Sequence, residues 1–299
     1  MTSRIALVTG GTGGIGTAIC RRLLAQGHRV ATSYRNEEKA RAWEKAVRSA
    51  GHDVALFPAD VSDPAQAEAL IAGIENTLGP VDILINNAGI TRDTPFHKMD
   101  VQQWREVIDT NLGSLFNVTR PVIEGMRARR WGRIVQIGSI NGQKGQYGQA
   151  NYAAAKAGMH GFTQSLAQEN ARYGITVNTV SPGYTATDMV MAVPEDVRGK
   201  IAAQIPVGRF GTPEEIAYAV TFFLPDEEGA DGITRLTAFV VAPGLSARQI
   251  TAALRQRIEA IFLPRPLVLV DELPRNSTGK LPRSGLQALY ADRVGHGRG

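Results

Sequence analysis

Only one cysteine, Cys20, occurs in the 299 residues, so no disulfide can form within the chain, and a reducing compartment suits it. Histidine is nearly as scarce. His28, His52, His97, His160 and His296 form no close cluster with cysteine or paired carboxylates, so no metal is expected on these spacings. No apolar run approaches the ~20 residues that a bilayer-crossing helix needs. Strand-like sequence begins at Arg4, which leaves no room for a signal peptide and makes the cytoplasm the expected location. Basic excess is also limited: the net charge is +5, and after position 228 ten basic residues face five acidic ones, so the whole excess lies in the last quarter. It is too dispersed, and too mixed with leucine and proline, for a nucleic-acid stripe, though an acidic ligand such as CoA is compatible with it. A hydrophobic content of 43% is ample for one large α/β domain with an appendage.

Against these absences stands a pair with chemical meaning. Tyr152 and Lys156 are four residues apart in an alanine-rich run. On a helix, positions i and i+4 share a face with Cβ atoms roughly 5–6 Å apart, which sets an ammonium beside a phenol. A fixed positive charge favours the phenolate and is expected to lower the tyrosine pKa toward the range of a general acid or base. Upstream, Trp131 to Ile137 reads as a buried strand, and Ser139 emerges where open α/β sheets bind ligands. A hydroxyl there can hold a carbonyl oxygen.

The start of the chain supplies a partner for that site. Arg4 to Thr9 is a short apolar strand, followed by Gly10, Gly11, Gly13, Gly14 and Gly16 and then a helical pattern. Glycines admit backbone amides close to a pyrophosphate, and a helix start adds about half a positive charge there. A second strand, His28 to Ser33, lies where the dinucleotide fingerprint requires one. An NAD site would end that strand in Asp or Glu; here Thr32-Ser33-Tyr34-Arg35-Asn36 precedes the first acid, Glu37. Arg35 suits a 2′-phosphate and favours NADPH, with a solvated loop arginine as the other reading. Helices are predicted over Gln102 to Arg129, Tyr152 to Ala171 and Pro213 to Leu224, with strands near Ile83, Ile134 and Val177. The fold expected is an α/β, Rossmann-like doubly wound parallel sheet with helices on both faces, plus an atypical C-terminal extension.

These residues resemble the short-chain dehydrogenase/reductase family. Thr9 to Gly16 looks like its cofactor loop, in which Gly10, Thr12, Gly14, Ile15 and Gly16 would touch the dinucleotide. Asp60 and Val61 look like its adenine contact, and Asn87, Ala88 and Gly89 like the turn after its fourth strand. Asn111, Ser139, Tyr152 and Lys156 match its catalytic tetrad, while Pro182, Gly183 and Thr185 resemble the segment that receives the nicotinamide carboxamide. The resemblance implies hydride transfer to a 3-oxo carbon, with Tyr152 as proton donor, Ser139 on the oxygen, Lys156 on the ribose and Asn111 on a water chain. Within the family it is closest to 3-oxoacyl reductases, the branch acting on acetoacetyl-CoA more than the branch acting on ACP-bound chains. In that branch Asp93, Ser139, Gln146, Tyr147, Gln149 and Tyr184 would line the acyl pocket; a polar rim without fixed substrate meaning is the other reading of these side chains. A basic docking patch, including Arg127, Arg129 and Arg130, would favour ACP, or else mark a solvated helix end. Homo-oligomers, dimers or tetramers, are implied through the helices near Asn111 and Tyr152.

The tail is of another kind. From about Leu236 to Tyr290 it resembles part of the small C-terminal domain of adenylate-forming acyl-CoA synthetases, with Leu273 to Leu281 matching its lysine loop around Lys280. The large nucleotide-binding domain is not present in the chain, so adenylation is not expected. Two regions are therefore predicted: a reductase domain over 1–245, with 236–241 expected to supply its last strand, and a basic extension over 246–299. A contrasting reading is a folded but inactive cofactor-binding or interaction protein.

Overall fold

Short, nearly continuous apolar runs, buried on both faces, decide the architecture. In the computed structural model, Ile5–Val8 (β1), Arg29–Tyr34 (β2), Val54–Pro58 (β3), Ile83–Asn86 (β4), Gly132–Ile137 (β5) and Ile175–Val180 (β6) form one parallel sheet in the order β3-β2-β1-β4-β5-β6. The structure describes residues 3–224, 238–256, 264, 266–274 and 282–293. Successive residues of each strand point to opposite faces, so the core has two layers. Leu7, Leu84, Ile134 and Val177 pack on one face with Leu70, Ile71 and Ile74 of Pro64–Thr77 (α3). Ala6, Val8, Ile85, Val135 and Ile137 pack on the other with Ile19, Cys20 and Leu23 of Gly14–Ala25 (α1). Burial drives the Cys20 thiol pKa far up, which makes it a packing group rather than a nucleophile.

The remaining helices of the first unit are Glu37–Ser49 (α2), Val101–Ile108 (α4), Ser114–Arg129 (α5), Asn141–Lys144 (α6), Ala150–Asn170 (α7), Asp188–Met191 (α8), Glu195–Ala203 (α9) and Pro213–Phe222 (α10). Thr212 starts α10 with a capping box to Glu215, and Arg22 of α1 bonds Thr221 at 2.6 Å while lying over the Tyr218 ring. The helix expected over Gln102 to Arg129 is interrupted: Asp109–Gly113 forms a wide π turn between α4 and α5. That widening turns the Asn111 amide inward, where it bonds both polar groups of the Ile90 backbone at 2.8 Å each.

The chain divides into two compact units, Met1–Pro225 and Asp226–Gly299. In the second, Ala238–Val240 (β7) pairs in parallel with Leu267–Leu269 (β8), and Ala247–Arg255 (α11) lies between them in sequence; Arg283–Arg293 (α12) follows. This corrects the strand expected at 236–241 within its described part. Residues 238–240 belong to a separate two-stranded sheet, not to the six-stranded one. The reason is local: the apolar run at 267–269, reached through a helical crossover, supplies a parallel partner inside the same unit. The unit boundary accordingly falls at 225/226 rather than 245/246. The lysine loop around Lys280 lies outside the described residues.

Candidate active site

Glycine at the end of β1 allows the chain to double back. Gly10 has φ +63°, a conformation that side chains resist, and the Gly13 amide closes the turn on the Gly10 carbonyl at 3.2 Å. Gly11 donates to Thr32 Oγ1 at 2.8 Å and Gly10 to Ser33 Oγ at 3.3 Å, so the hydroxyls ending β2 hold the loop. Gly13 is the N-cap of α1 and offers no side-chain cap, which leaves the amides of Gly14, Ile15 and Gly16 at an open positive helix end. Thr12 sits in the turn and Thr187 lies beside Gly14, whose added Cβ would stand 3.0 Å from its methyl. This cradle of small residues and free amides fits the diphosphate of a dinucleotide.

Beyond the loop, a cleft is lined by Arg35, Asp60, Ser62, Ile90, Arg92 and Thr110. Arg35 Nη1 stands 3.6 Å from Asp60 Oδ2. Partial burial pulls the Asp60 carboxyl pKa upward, but hydrogen bonds from Ser62 and the Arg35 charge outweigh this and hold it below the usual value. Val61 is buried, and its carbonyl accepts from Asn117 at 3.1 Å. Asn87 clamps the first turn by donating to the Thr9 and Gly10 carbonyls, and Thr9 Oγ1 accepts the amides of Asn87 and Ala88. Gly89 lies against Asn111 and Lys156: a Cβ added there would stand 3.2 Å from Asn111 Oδ1 and 3.8 Å from Lys156 Nζ. The Pro182 carbonyl accepts the Ile140 amide, and the Gly183 carbonyl accepts from Thr185, which bridges to Gly211.

All four tetrad residues therefore converge at the C-terminal end of β4 and β5. Ser139 stands near enough to the Tyr152 hydroxyl to act on its pKa, and Lys156 Nζ lies 5.6 Å from the Tyr152 ring centre. The electrostatics differ from the sequence expectation. Burial raises the Tyr152 pKa, the neighbouring Ser139 hydroxyl partly opposes this, and the Asp93 charge adds to the rise. The Lys156 ammonium donates one of its three N–H groups to the Ile137 carbonyl at 2.7 Å, which fixes the cation beside the phenol. Burial lowers the Lys156 pKa to about 8. The result is a phenol kept protonated beside a buried cation, the form a proton donor needs.

The expected acyl rim is only partly assembled. Gln149 Nε2 donates to Asp93 Oδ2 at 2.8 Å, joining two of its members. Tyr184 packs edge-on against Phe210, with the rings 6.3 Å apart. Gln146 is exposed, as is Tyr147, which presents 83% of its surface to solvent. Sequence reasoning missed Asn141, which touches both Ser139 and Gln149. Only its place in the run after Ser139 pointed to it. Arginines 127, 129 and 130 are held by Asn170, Tyr173, Val81, Asp82 and the Arg172 carbonyl. Among the described residues, no three His, Cys, Asp or Glu side chains gather to hold a metal, and no helix is long and apolar enough to cross a membrane.

Comparison with known proteins agrees with this geometry. Residues 4–198 match the short chain dehydrogenase family, and residues 216–280 match the C-terminal domain of AMP-binding enzymes, a match that begins inside α10. The chain is 54% identical over 230 residues to acetoacetyl-CoA reductase of Cupriavidus necator, covering 77% of this chain and 94% of that protein. It is 56% identical over 229 residues to acetoacetyl-CoA reductase of Rhizobium meliloti, covering 76% and 93%. It is 47% identical over 224 residues to the 3-oxoacyl-(acyl-carrier-protein) reductase FabG of Escherichia coli, covering 75% and 91%. Among solved structures, a substituted actinorhodin polyketide ketoreductase with NADPH superposes with a TM-score of 0.72 at 38% identity, covering 77% of this chain and 92% of that one. A glycine cradle on β1, a serine, tyrosine and lysine gathered beyond β5, and these likenesses together place the chain in the short-chain dehydrogenase family of oxidoreductases.

Proposed function

We propose that the chain reduces the 3-oxo group of a short acyl-CoA, acetoacetyl-CoA first among them, with NADPH. The observation that carries this reading is the convergence of Ser139 and Tyr152 with a buried Lys156, whose Nζ lies 5.6 Å from the Tyr152 ring centre. When bound, the nicotinamide supplies the hydride. Ser139 donates to the carbonyl oxygen, and Tyr152 delivers its hydroxyl proton to that oxygen as charge grows on it. The Lys156 cation then stabilises the phenolate left behind. Asn111 fixes the Ile90 backbone beside them, and the wide turn that carries it is the candidate anchor for a water chain. An exposed Phe116 on α5 supports a homo-oligomer formed through that helix.

Arg35 is proposed to hold the 2′-phosphate that distinguishes NADPH. Replacing Arg35 with Ala is expected to raise the KM for NADPH about ten- to a hundredfold, the worth of a charge-assisted hydrogen bond, and to leave the KM for NADH nearly unchanged. An unchanged KM for NADPH would remove Arg35 from the site.

The substrate test is direct. NADPH absorbance is followed with acetoacetyl-CoA and with acetoacetyl-ACP at equal concentration; faster loss with the CoA thioester is expected. The internal bonds of arginines 127, 129 and 130 speak against a dedicated ACP patch. A preference for ACP would transfer the assignment to the carrier-protein reaction. No loss with either carrier, with NADPH binding confirmed, would overturn the reductase reading.

A further inference from the structure

Two side chains outside the reacting groups brace the glycine turn on β1. Thr17, in the first turn of α1, donates its hydroxyl proton to the Gly11 carbonyl at 3.2 Å. Trp43, in the middle of α2, donates its indole N–H to Thr17 Oγ1 at 2.8 Å. An indole N–H only donates and a hydroxyl carries a single proton, so chemistry fixes the direction of both bonds. Thr17 accepts from Trp43 and gives its proton to Gly11.

Gly11 is the residue of the turn that needs such a brace. Its amide is already held by Thr32 Oγ1 at 2.8 Å, and a Cβ on it would overlap that oxygen and stand 2.7 Å from Cys20 Sγ, so it has no room to move inward. Its carbonyl is another matter. Glycine leaves the peptide from Gly11 to Thr12 freer to rotate than any other residue would, unless the oxygen is tied. In a trans peptide the N–H points opposite to the C=O, so the bond from Thr17 also sets the direction of the Thr12 amide. A threonine on a helix has rival acceptors, however, because its hydroxyl can turn back to a carbonyl three or four residues earlier, here Gly14 or Gly13. The Trp43 donor holds the hydroxyl in the rotamer that reaches Gly11. Trp43 is itself fixed: Ala40 and Val47 on the same face of α2 are buried, and its ring packs on the core layer that contains Ile19 and Leu23.

We propose that Thr17 and Trp43 are positioning residues for the cofactor, a side-chain brace that keeps the Gly11–Thr12 peptide oriented for the dinucleotide. The inference rests on the reading of this turn as the diphosphate cradle. A contact that merely packs α2 on α1 would act on stability and leave cofactor affinity alone. The test measures Kd for NADPH and for NADH by fluorescence titration, with kcat for acetoacetyl-CoA at saturating NADPH, in Thr17→Val, Thr17→Ser, Trp43→Phe and the double variant of Thr17→Val with Trp43→Phe. Thr17→Val keeps the shape and removes the hydroxyl. Its Kd is expected to rise about fivefold, the worth of one hydrogen bond, with kcat nearly constant. The factor should be the same for NADPH and NADH, since both carry the diphosphate, whereas Arg35→Ala acts on NADPH alone.

Thr17→Ser retains the hydroxyl and is expected to bind within about twofold of wild type. Trp43→Phe releases the hydroxyl to its rival acceptors and should weaken both cofactors about threefold. The double variant should bind no more than about twofold weaker than Thr17→Val, because both changes cut one line, a coupling that the double-mutant cycle isolates. An unchanged Kd in Thr17→Val, a loss confined to NADPH, or single losses that multiply in the double variant would overturn the brace. If Trp43→Phe does not fold, the contrast between Thr17→Val and Thr17→Ser decides alone. Kd is read without turnover, so failure of the proposed reaction leaves these outcomes distinct. A wild-type chain that binds neither cofactor would overturn both readings.

Discussion

Tyr152→Phe is expected to abolish reduction while the protein still folds and binds NADPH. The phenol is the acid in the proposed site, and general acid catalysis contributes about 10²–10⁴-fold to rate. Only the hydroxyl is removed, and the ring keeps its packing beside Lys156 at the head of α7. Unfolding temperature should therefore stay within a few degrees, because no large cavity opens and a single hydroxyl's hydrogen bonding is worth about 1 kcal/mol. Three measurements check this together: single-turnover NADPH oxidation, NADPH fluorescence titration and thermal unfolding by circular dichroism. Full turnover in the variant would end the assignment of Tyr152 as donor.

Gly16→Ala should act on the other half of the site. A Cβ at Gly16 would stand 2.5 Å from the Gly10 carbonyl oxygen, 2.8 Å from Asn87 Nδ2 and 2.8 Å from the Gly11 Cα. Two of these neighbours are backbone, so the loop itself must move. The third is the amide by which Asn87 joins the turn after β4 to the turn after β1. NADPH affinity is expected to fall about a hundredfold, as fixed donors lose alignment with the diphosphate. Stability should fall by about 1–3 kcal/mol through overpacking. Gly161→Ala is the matched control. It lies inside α7 with open space around its Cβ direction, so the same substitution there should be neutral or stabilising by up to about 1 kcal/mol. Equal NADPH affinity in Gly16→Ala and wild type, read by fluorescence titration, would show that the turn tolerates the side chain and is not the cradle.

Periodicity and spacing made the reductase unit legible because its rules are local. A buried parallel strand needs a short apolar run, and Ile5–Val8 and Ile83–Asn86 read as such at once. An i, i+4 pair on a helix shares a face whatever surrounds it, so Tyr152 and Lys156 could be set side by side from sequence. The direction in which their pKa values move was not legible. It depends on burial, which raises the tyrosine and lowers the lysine, and burial is set by elements packed from across the chain. The π turn at Asp109–Gly113 was hidden for a related reason: the Ile90 backbone that its Asn111 meets lies twenty-one residues upstream.

Sequence by itself determined the glycine turn on β1, the serine, tyrosine and lysine grouping, and the arginine where an NAD site would carry an acid. These are matters of residue type at fixed spacing, and spacing is conserved through folding. Tertiary structure decided which partner each polar group takes. It turned Asp93 and Gln149 toward each other, joined them to Ser139 through Asn141, and paired Ala238–Val240 with Leu267–Leu269 instead of the six-stranded sheet. A hydrogen bond is satisfied by whichever complementary group the fold brings within about 3 Å, and that choice is made across the chain rather than along it.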